Sequence, residues 1–212
     1  MLNGPILMPS SGKVKSLVIL SHGYGSNGED LINLGKNWQT LLPDTVFVSP
    51  NAPENSPNPG GYQWFPIDSF SKEERIEGTY KAAPFLDTFI DHTLKEYGVA
   101  ADKLALVGFS QGTMMSLHVG LRRQAQVAGI LGFSGALASP GTLVAEMESK
   151  PPIYLIHGAM DNVIPFPALF EAVGALEAAG LSVEKHISQN TAHGIAQDGM
   201  ERGGAFLAQI LA

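Results

Sequence analysis

Cysteine is absent from the chain, and this removes four kinds of chemistry together: a thiol nucleophile, an iron–sulfur cluster, a zinc ribbon and a disulfide framework. It leaves the compartment open. Basic residues are scarce, 13 Lys and Arg against 20 Asp and Glu, giving a formal charge of −7 and a pI near 5.3. Such a balance repels phosphate backbones and anionic membranes, so nucleic acid is not an expected partner. No segment approaches the roughly 20 apolar residues of a membrane span. The first residues carry no charge before Lys13 and no apolar run long enough for a signal sequence. The chain therefore reads as soluble and cytoplasmic, with no stable membrane insertion. Charged residues make up 16% against 44% hydrophobic ones, far from a disordered composition. A chain of 212 residues buries about 70% of its surface on folding, enough for one domain spanning residues 1–212 without a metal or disulfide staple.

Short apolar runs alternate with longer helical stretches. Leu17 to Leu20, Val46 to Val48, Leu104 to Val107, Ile130 to Phe133, Ile153 to Ile156 and Val183 to Ile187 are β-prone, and most run into Gly, Pro, Ser or Asn. Between and after them, Asp30 to Leu42, Ser71 to Tyr97, Gln111 to Arg123, Pro165 to Ala179 and Asp198 to Leu211 have helical character. Uninterrupted apolar strands imply burial on both faces, and their alternation with helices predicts an α/β fold with a mainly parallel sheet covered on both sides. Ile6 to Met8 is expected to add an antiparallel edge strand. One stretch stands apart: Pro50 to Pro66 holds five prolines with Tyr62, Trp64 and Phe65. It is too proline-rich for a helix or a central strand, and its aromatics must pack on something, so it is expected to fold over the sheet edge.

Gly108-Phe109-Ser110-Gln111-Gly112 matches G-x-S-x-G between a strand and a helix. A nucleophile on that sharp turn has strained φ/ψ, and residues two positions either side must be small. The bland alternative is a glycine-rich strand exit with a helix-capping serine. A serine hydroxyl needs a base, and the base needs an orienting carboxylate. In chain order Ser, acid, His, Asp161 follows the strand ending in His157, and His193 follows the strand ending in Ile187. His92 and His118 lie in helical runs, His186 lies in a strand, and His22 and His157 end strands before the expected position. Glu184 and Asp198 rival Asp161, but one falls inside a strand and the other fits a helix N-cap. Acyl transfer also needs two backbone N–H groups aimed at the developing oxyanion, and Tyr24, after the first central strand, and Gln111, after the nucleophile, are the candidates.

Two decoys accompany these motifs. Gly23, Gly25 and Gly28 spell G-x-G-x-x-G, but the next strand ends in Ser49-Pro50 with no acid for a ribose, and Glu29-Asp30 put negative charge where a pyrophosphate would sit. Gly132-Phe133-Ser134-Gly135 lacks the five-residue spacing. With no H-E-x-x-H motif, metal chemistry has little support. No metal and no cofactor are expected.

Ser21-His22-Gly23-Tyr24-Gly25, Ser49-Pro50-Asn51-Ala52-Pro53, Gly61-Tyr62-Gln63-Trp64-Phe65, Gly108 to Gly112, His157-Gly158-Ala159-Met160-Asp161 and Ala192-His193-Gly194 resemble, in order, the blocks of the phospholipase/carboxylesterase family of α/β-hydrolases. The resemblance runs from Leu17 to the final helix. It implies a compact α/β-hydrolase with little cap, Ser110 as nucleophile, Asp161 and His193 completing a triad, an oxyanion hole at Tyr24 and Gln111, and no cofactor. The chain departs from the family pattern at Thr113, where a third glycine is common, and at Ala159-Met160, which replace a more usual Asp-containing pair.

The expectation is a serine carboxylesterase acting on small-molecule esters of short to medium acyl chains. An acyl-protein thioesterase or lysophospholipase would use the same groups, and a catalytically silent binding protein of the same fold is the rival from another class. A homodimer is compatible with the sequence. For the acyl chain, Tyr62, Trp64, Phe65 and Phe70 offer an aromatic wall, whose loss at Trp64 would leave stability little changed. Met114, Met160 and Ile164 mark the alternative location.

Overall fold

A computed structural model describes residues 1–69 and 71–212. Seven strands, β1 (Ile6–Leu7), β2 (Ser16–Ser21), β3 (Thr45–Val48), β6 (Leu104–Phe109), β7 (Gly129–Phe133), β8 (Ile153–Gly158) and β9 (Val183–Ser188), form one sheet in the order β1-β3-β2-β6-β7-β8-β9. The expected edge strand is present as β1, antiparallel to β3, and every other pairing is parallel. A separate hairpin pairs two strands of two residues each, β4 (Glu54–Asn55) and β5 (Tyr62–Gln63).

The strand period of two sorts the core into two clusters. Leu17, Ile19, Leu104, Leu106, Ile130 and Leu155 pack on one face, under α2 (Lys72–Tyr97), α3 (Gln111–Arg122) and α5 (Pro167–Ala178). Val18, Leu20, Val107, Leu131 and Ile156 pack on the other, under α1 (Gly28–Trp38) and α6 (Gln197–Ile210). This is the α/β-hydrolase arrangement, a mostly parallel sheet between helical layers. A four-residue helix, α4 (Leu143–Glu146), lies in the connection from β7 to β8.

The α2 end at Tyr97 and the α3 start at Gln111 fall where the periodicity reading puts them, and the other helix ends differ by one to four residues. Asn27 caps α1 by accepting the Asp30 N–H at 3.0 Å, so the helix starts at Gly28 rather than Asp30; at its other end it stops at Trp38 rather than Leu42. Ser71 caps α2 in the same way, 3.1 Å from the Glu74 N–H, and Gly98 at φ 64° ends it. Asp198 is not an N-cap: Ala196 holds that position, and the Asp198 carboxylate instead lies 2.7 Å from His186 Nε2.

The proline-rich segment departs further from expectation. It does not cover a sheet edge. The Gly25 N–H donates to Tyr62 O at 2.9 Å, and the Tyr62 N–H donates to Ser26 O at 2.7 Å. These bonds stitch the segment to the loop after β2, a strand in the middle of the sheet. Strand order explains the location. From β2 the chain first adds β3 on one side and later β6 on the other, so the crevice at this switch point opens above the carboxyl ends of β2 and β6, and the segment fills it.

Candidate active site

Ser110 sits where β6 turns into α3, with φ 54° and ψ −115°. A left-handed conformation at a non-glycine residue costs of order 1–3 kcal/mol and persists only where its surroundings impose it. Here they do. A Cβ at Gly108 would overlap the Gly112 backbone, and one at Gly112 would overlap the Ser21 carbonyl oxygen of β2, so both glycines are sterically required. The Ser110 N–H donates to Phe133 O at 2.9 Å, pinning the turn to β7. Thr113, where the family pattern commonly has glycine, places its Oγ1 2.8 Å from Gly108 O and 2.9 Å from Phe133 O. Its methyl occupies the space that side chains at Gly132 and Gly135 would need.

Asp161 and His193, 32 residues apart in sequence, come together: Asp161 Oδ2 accepts from His193 Nδ1 at 2.8 Å. The carboxylate side chain is fully buried. Its other oxygen accepts the N–H groups of Val163 and Ile164 at 2.9 and 3.0 Å, so the acid is held from two directions. Gly158, at the end of β8, lets the 190–194 loop close over it, because any side chain there would strike the Thr191 and Ala192 carbonyls. The Met160 N–H donates to Thr191 O at 2.9 Å, tying the loop of Asp161 to the loop of His193. The imidazole of His193 lies 4.9 Å, centroid to centroid, from the ring of Phe109, the residue before Ser110. With Nδ1 committed to Asp161, Nε2 is the nitrogen left for chemistry.

β2 and β6 are paired with Ser21 opposite Gly108, which sets the loop after β2 beside the serine. A Cβ on Gly23 would lie 3.3 Å from Ser110 Cβ. The N–H of Gln111 is the first of α3 and has no partner within the helix. Among the described residues neither it nor the Tyr24 N–H is engaged by another group. The Gln111 side chain, by contrast, is fully employed: Oε1 accepts the Trp64 N–H at 2.9 Å, and Nε2 donates to Phe65 O at 2.8 Å.

The residues expected to contact the acyl chain divide. Trp64 and Phe65 are 1% and 2% exposed and Met114 is 2% exposed; all three belong to the core cluster under α2 and α3. The Trp64 indole N–H donates to His22 O at 3.0 Å. The stability expectation for Trp64 is therefore reversed, since the ring is structural fill. Tyr62 is half-buried, Met160 is 63% exposed, and Ile164 is buried with its N–H on Asp161. Ile164 also lines a groove of about 330 Å³ with Ala136, Leu137, Pro140, Pro165 and Ala168, between the loops that follow β7 and β8. Phe70 lies outside the described residues.

The other histidines have other partners. His92 is half-exposed on α2, 3.6 Å from Glu96. Buried His118 lies beside Arg122 and Tyr80; burial first, and the Arg122 charge second, push it down to about 4. His157 Nε2 is 2.9 Å from Ile164 O and 3.3 Å from Asp161 Oδ2, placing a second imidazole against the acid. His22 is wholly buried; the Ala52 N–H donates to its Nε2 at 3.0 Å, and its Nδ1 lies 2.7 Å from Gly23 O. Burial lowers its pKa. Sequence reasoning treated His22 and His157 only as strand ends. A polar side chain ending a buried strand must find partners, and that signal was available. Glu184 is exposed on β9. At the glycine-rich decoy, the Gly28 N–H donates to Asn51 Oδ1 at 2.8 Å and a Gly28 side chain would meet Ser49 O, so the start of α1 is filled from within. Among the described residues no three His, Asp or Glu side chains group as a metal site, and no helix is long and apolar enough to cross a membrane.

Comparison with known proteins gives a consistent picture. The family model described as Phospholipase/Carboxylesterase matches residues 3–211. The esterase YpfH of Escherichia coli is 31% identical over 187 residues, 88% of this chain and 79% of that protein. Acyl-protein thioesterase 1 of Emericella nidulans is 26% identical over 78% of this chain and 77% of its own length. Among solved structures, the crystal structure of esterase PE8 superposes with a TM-score of 0.96 at 46% identity, covering 99% of both chains.

Proposed function

The chain belongs to the phospholipase/carboxylesterase family and is a serine esterase of the α/β-hydrolase fold; we propose that Ser110 is its nucleophile, His193 its base and Asp161 the carboxylate that orients the base. Ser110 Oγ attacks the acyl carbonyl carbon while His193 Nε2 takes the hydroxyl proton, then returns it to the departing alkoxide. Water, deprotonated by the same nitrogen, cleaves the acyl-enzyme and restores the serine. Asp161 stabilises the imidazolium and keeps the proton of the neutral ring on Nδ1. The N–H groups of Tyr24 and Gln111 receive the oxyanion of each tetrahedral intermediate.

The observation that carries this reading is the 2.8 Å contact between His193 Nδ1 and an Asp161 already fixed by two backbone N–H groups, with the His193 ring 4.9 Å from that of Phe109, the residue before a serine held in a left-handed turn. The substrate class is a small-molecule carboxylic ester, and the acyl chain is assigned to the groove at Ile164, whose alanine and proline lining is flanked by Lys72, Arg75 and Glu171. The thioesterase reading has one specific support, the likeness to acyl-protein thioesterase 1, and it changes only the leaving group.

A fluorophosphonate probe with peptide mapping tests the assignment. Label should fall on Ser110 alone, and Ser110→Ala should lower turnover of p-nitrophenyl butyrate by more than about 10⁴-fold without unfolding the chain. Label on Ser134 or Ser21 would refute it.

A further inference from the structure

His22 is buried at the end of β2 and touches no reacting atom, yet both of its ring nitrogens are committed. The Ala52 backbone N–H can only donate, so Nε2, 3.0 Å away, must present a lone pair. The proton of the neutral ring is then on Nδ1, which lies 2.7 Å from Gly23 O and donates to it. Complete burial disfavours the charged ring, in keeping with a single locked tautomer. The carbonyl that receives this bond shares its peptide unit with the Tyr24 N–H. In a trans peptide the C=O and N–H point in opposite directions across a rigid plane, so holding the Gly23 oxygen toward the imidazole turns the Tyr24 N–H away from it.

We propose that His22 is a positioning residue for the oxyanion hole: its Nδ1–H fixes the Gly23–Tyr24 peptide plane so that the Tyr24 N–H faces the acyl oxygen of a substrate on Ser110. The inference rests on the acyl-transfer reading of Ser110. The surroundings keep the ring from turning. Ala52 N–H holds one nitrogen, and the Trp64 indole N–H holds the His22 carbonyl at 3.0 Å. On the other side of the loop, the Gly25 N–H donates to Tyr62 O at 2.9 Å. The oxyanion loop carries two close-approach glycines, and without these ties its peptide planes would be free to rotate.

The experiment compares His22→Ala and His22→Asn with the unaltered enzyme. The Asn amide can place a donor where Nδ1 stood but cannot accept from Ala52. Expected for His22→Ala is a fall in kcat of about 10²-fold, the size seen when one oxyanion donor is lost, with KM within threefold. Inhibition by butylboronic acid, which forms an anionic tetrahedral adduct on a catalytic serine, should weaken by the same factor as kcat. His22→Asn should recover most of both. A kcat loss below threefold, unchanged boronate inhibition, or an Asn variant that folds but is no better than Ala would overturn the proposal. Should the Ala variant not fold, ¹⁵N NMR of the unaltered enzyme decides the tautomer: Nδ1 protonated and Nε2 bare between pH 5 and 9 is expected, and a proton on Nε2 overturns it. Failure of fluorophosphonate to label Ser110 in the unaltered enzyme would overturn the acyl-transfer reading instead.

Discussion

Trp64→Ala separates structural fill from substrate contact. The ring is 1% exposed and sits in the core cluster under α2 and α3. Truncating a buried aromatic ring to alanine costs about 3–5 kcal/mol through lost transfer energy and the cavity left behind. The His22 carbonyl also loses its 3.0 Å bond from the indole N–H, worth about 1 kcal/mol. The sum is about 4–6 kcal/mol. For a chain of this size each kcal/mol moves Tm by roughly 2–4 °C, so calorimetry should show a fall of roughly 8–24 °C. Because the ring fills the core, kcat/KM for acetyl and octanoyl p-nitrophenyl esters should drop by the same factor, within about twofold. An unchanged Tm with an octanoyl rate falling tenfold more than the acetyl rate would refute this reasoning and return the ring to the acyl site, where each methylene it touched would be worth up to ~0.8 kcal/mol.

Two further outcomes follow from the packing and charge of α3. A Cβ at Gly132 would lie 2.5 Å from Thr113 Cγ2, so Gly132→Ala should cost about 1–3 kcal/mol. Thr113→Ser, which keeps the hydroxyl and removes the methyl, should relieve at least 1 kcal/mol of that in a urea-denaturation double-mutant cycle; additivity would show that the two positions do not compete for space. His118 is held at about 4 in the folded chain against an ordinary 6.5, so between those values the unfolded chain binds a proton that the folded chain refuses. Stability is therefore lost as pH falls from 6.5 toward 4. The slope of unfolding free energy across that window should be shallower in His118→Gln than in the unaltered protein, and equal slopes would contradict the assignment.

What could be read from the sequence was what local spacing encodes. Five central strands announced themselves because apolar runs bounded by Gly, Pro or Asn have few other uses, whereas the sixth expected strand, Val183 to Ile187, is the partly exposed edge strand β9. The Ser110, Asp161 and His193 candidates followed from a chain-order rule tied to strand ends. The supporting groups were not legible because their partners are distant. Gln111 reaches 47 residues back to the Trp64 N–H, and His22 reaches 30 residues forward to the Ala52 N–H. No local pattern distinguishes a glutamine bracing a loop from one facing water. The aromatic segment misled for a related reason. Tyr, Trp and Phe among prolines imply something packed, but only the strand order shows that the space above β2 and β6 needed filling. Helix ends were lost to short-range chemistry, as at Asn27, whose side chain began α1 two residues early.

The close approach of strand and helix backbones makes the proposed nucleophile and the proposed oxyanion loop a single constraint. Ser21 opposite Gly108 is the last paired position of β2 and β6, and the absent side chain of Gly112 is what lets the start of α3 rest on the Ser21 carbonyl. A side chain there would push the helix off β2, releasing the Ser110 backbone from its left-handed turn and moving the Gln111 N–H away from the Tyr24 N–H together. Thr113 extends the same logic to β7. A threonine where the family pattern commonly has glycine adds volume at a helix–strand contact, and the chain has glycine at 132 and 135 on the facing segment. The single proton of the added hydroxyl is shared between Gly108 O and Phe133 O, two carbonyls on adjacent strands that flank the turn. Space given up on β7 is thus converted into a bond across the elbow, holding the strained serine where a third glycine would have offered room but no grip.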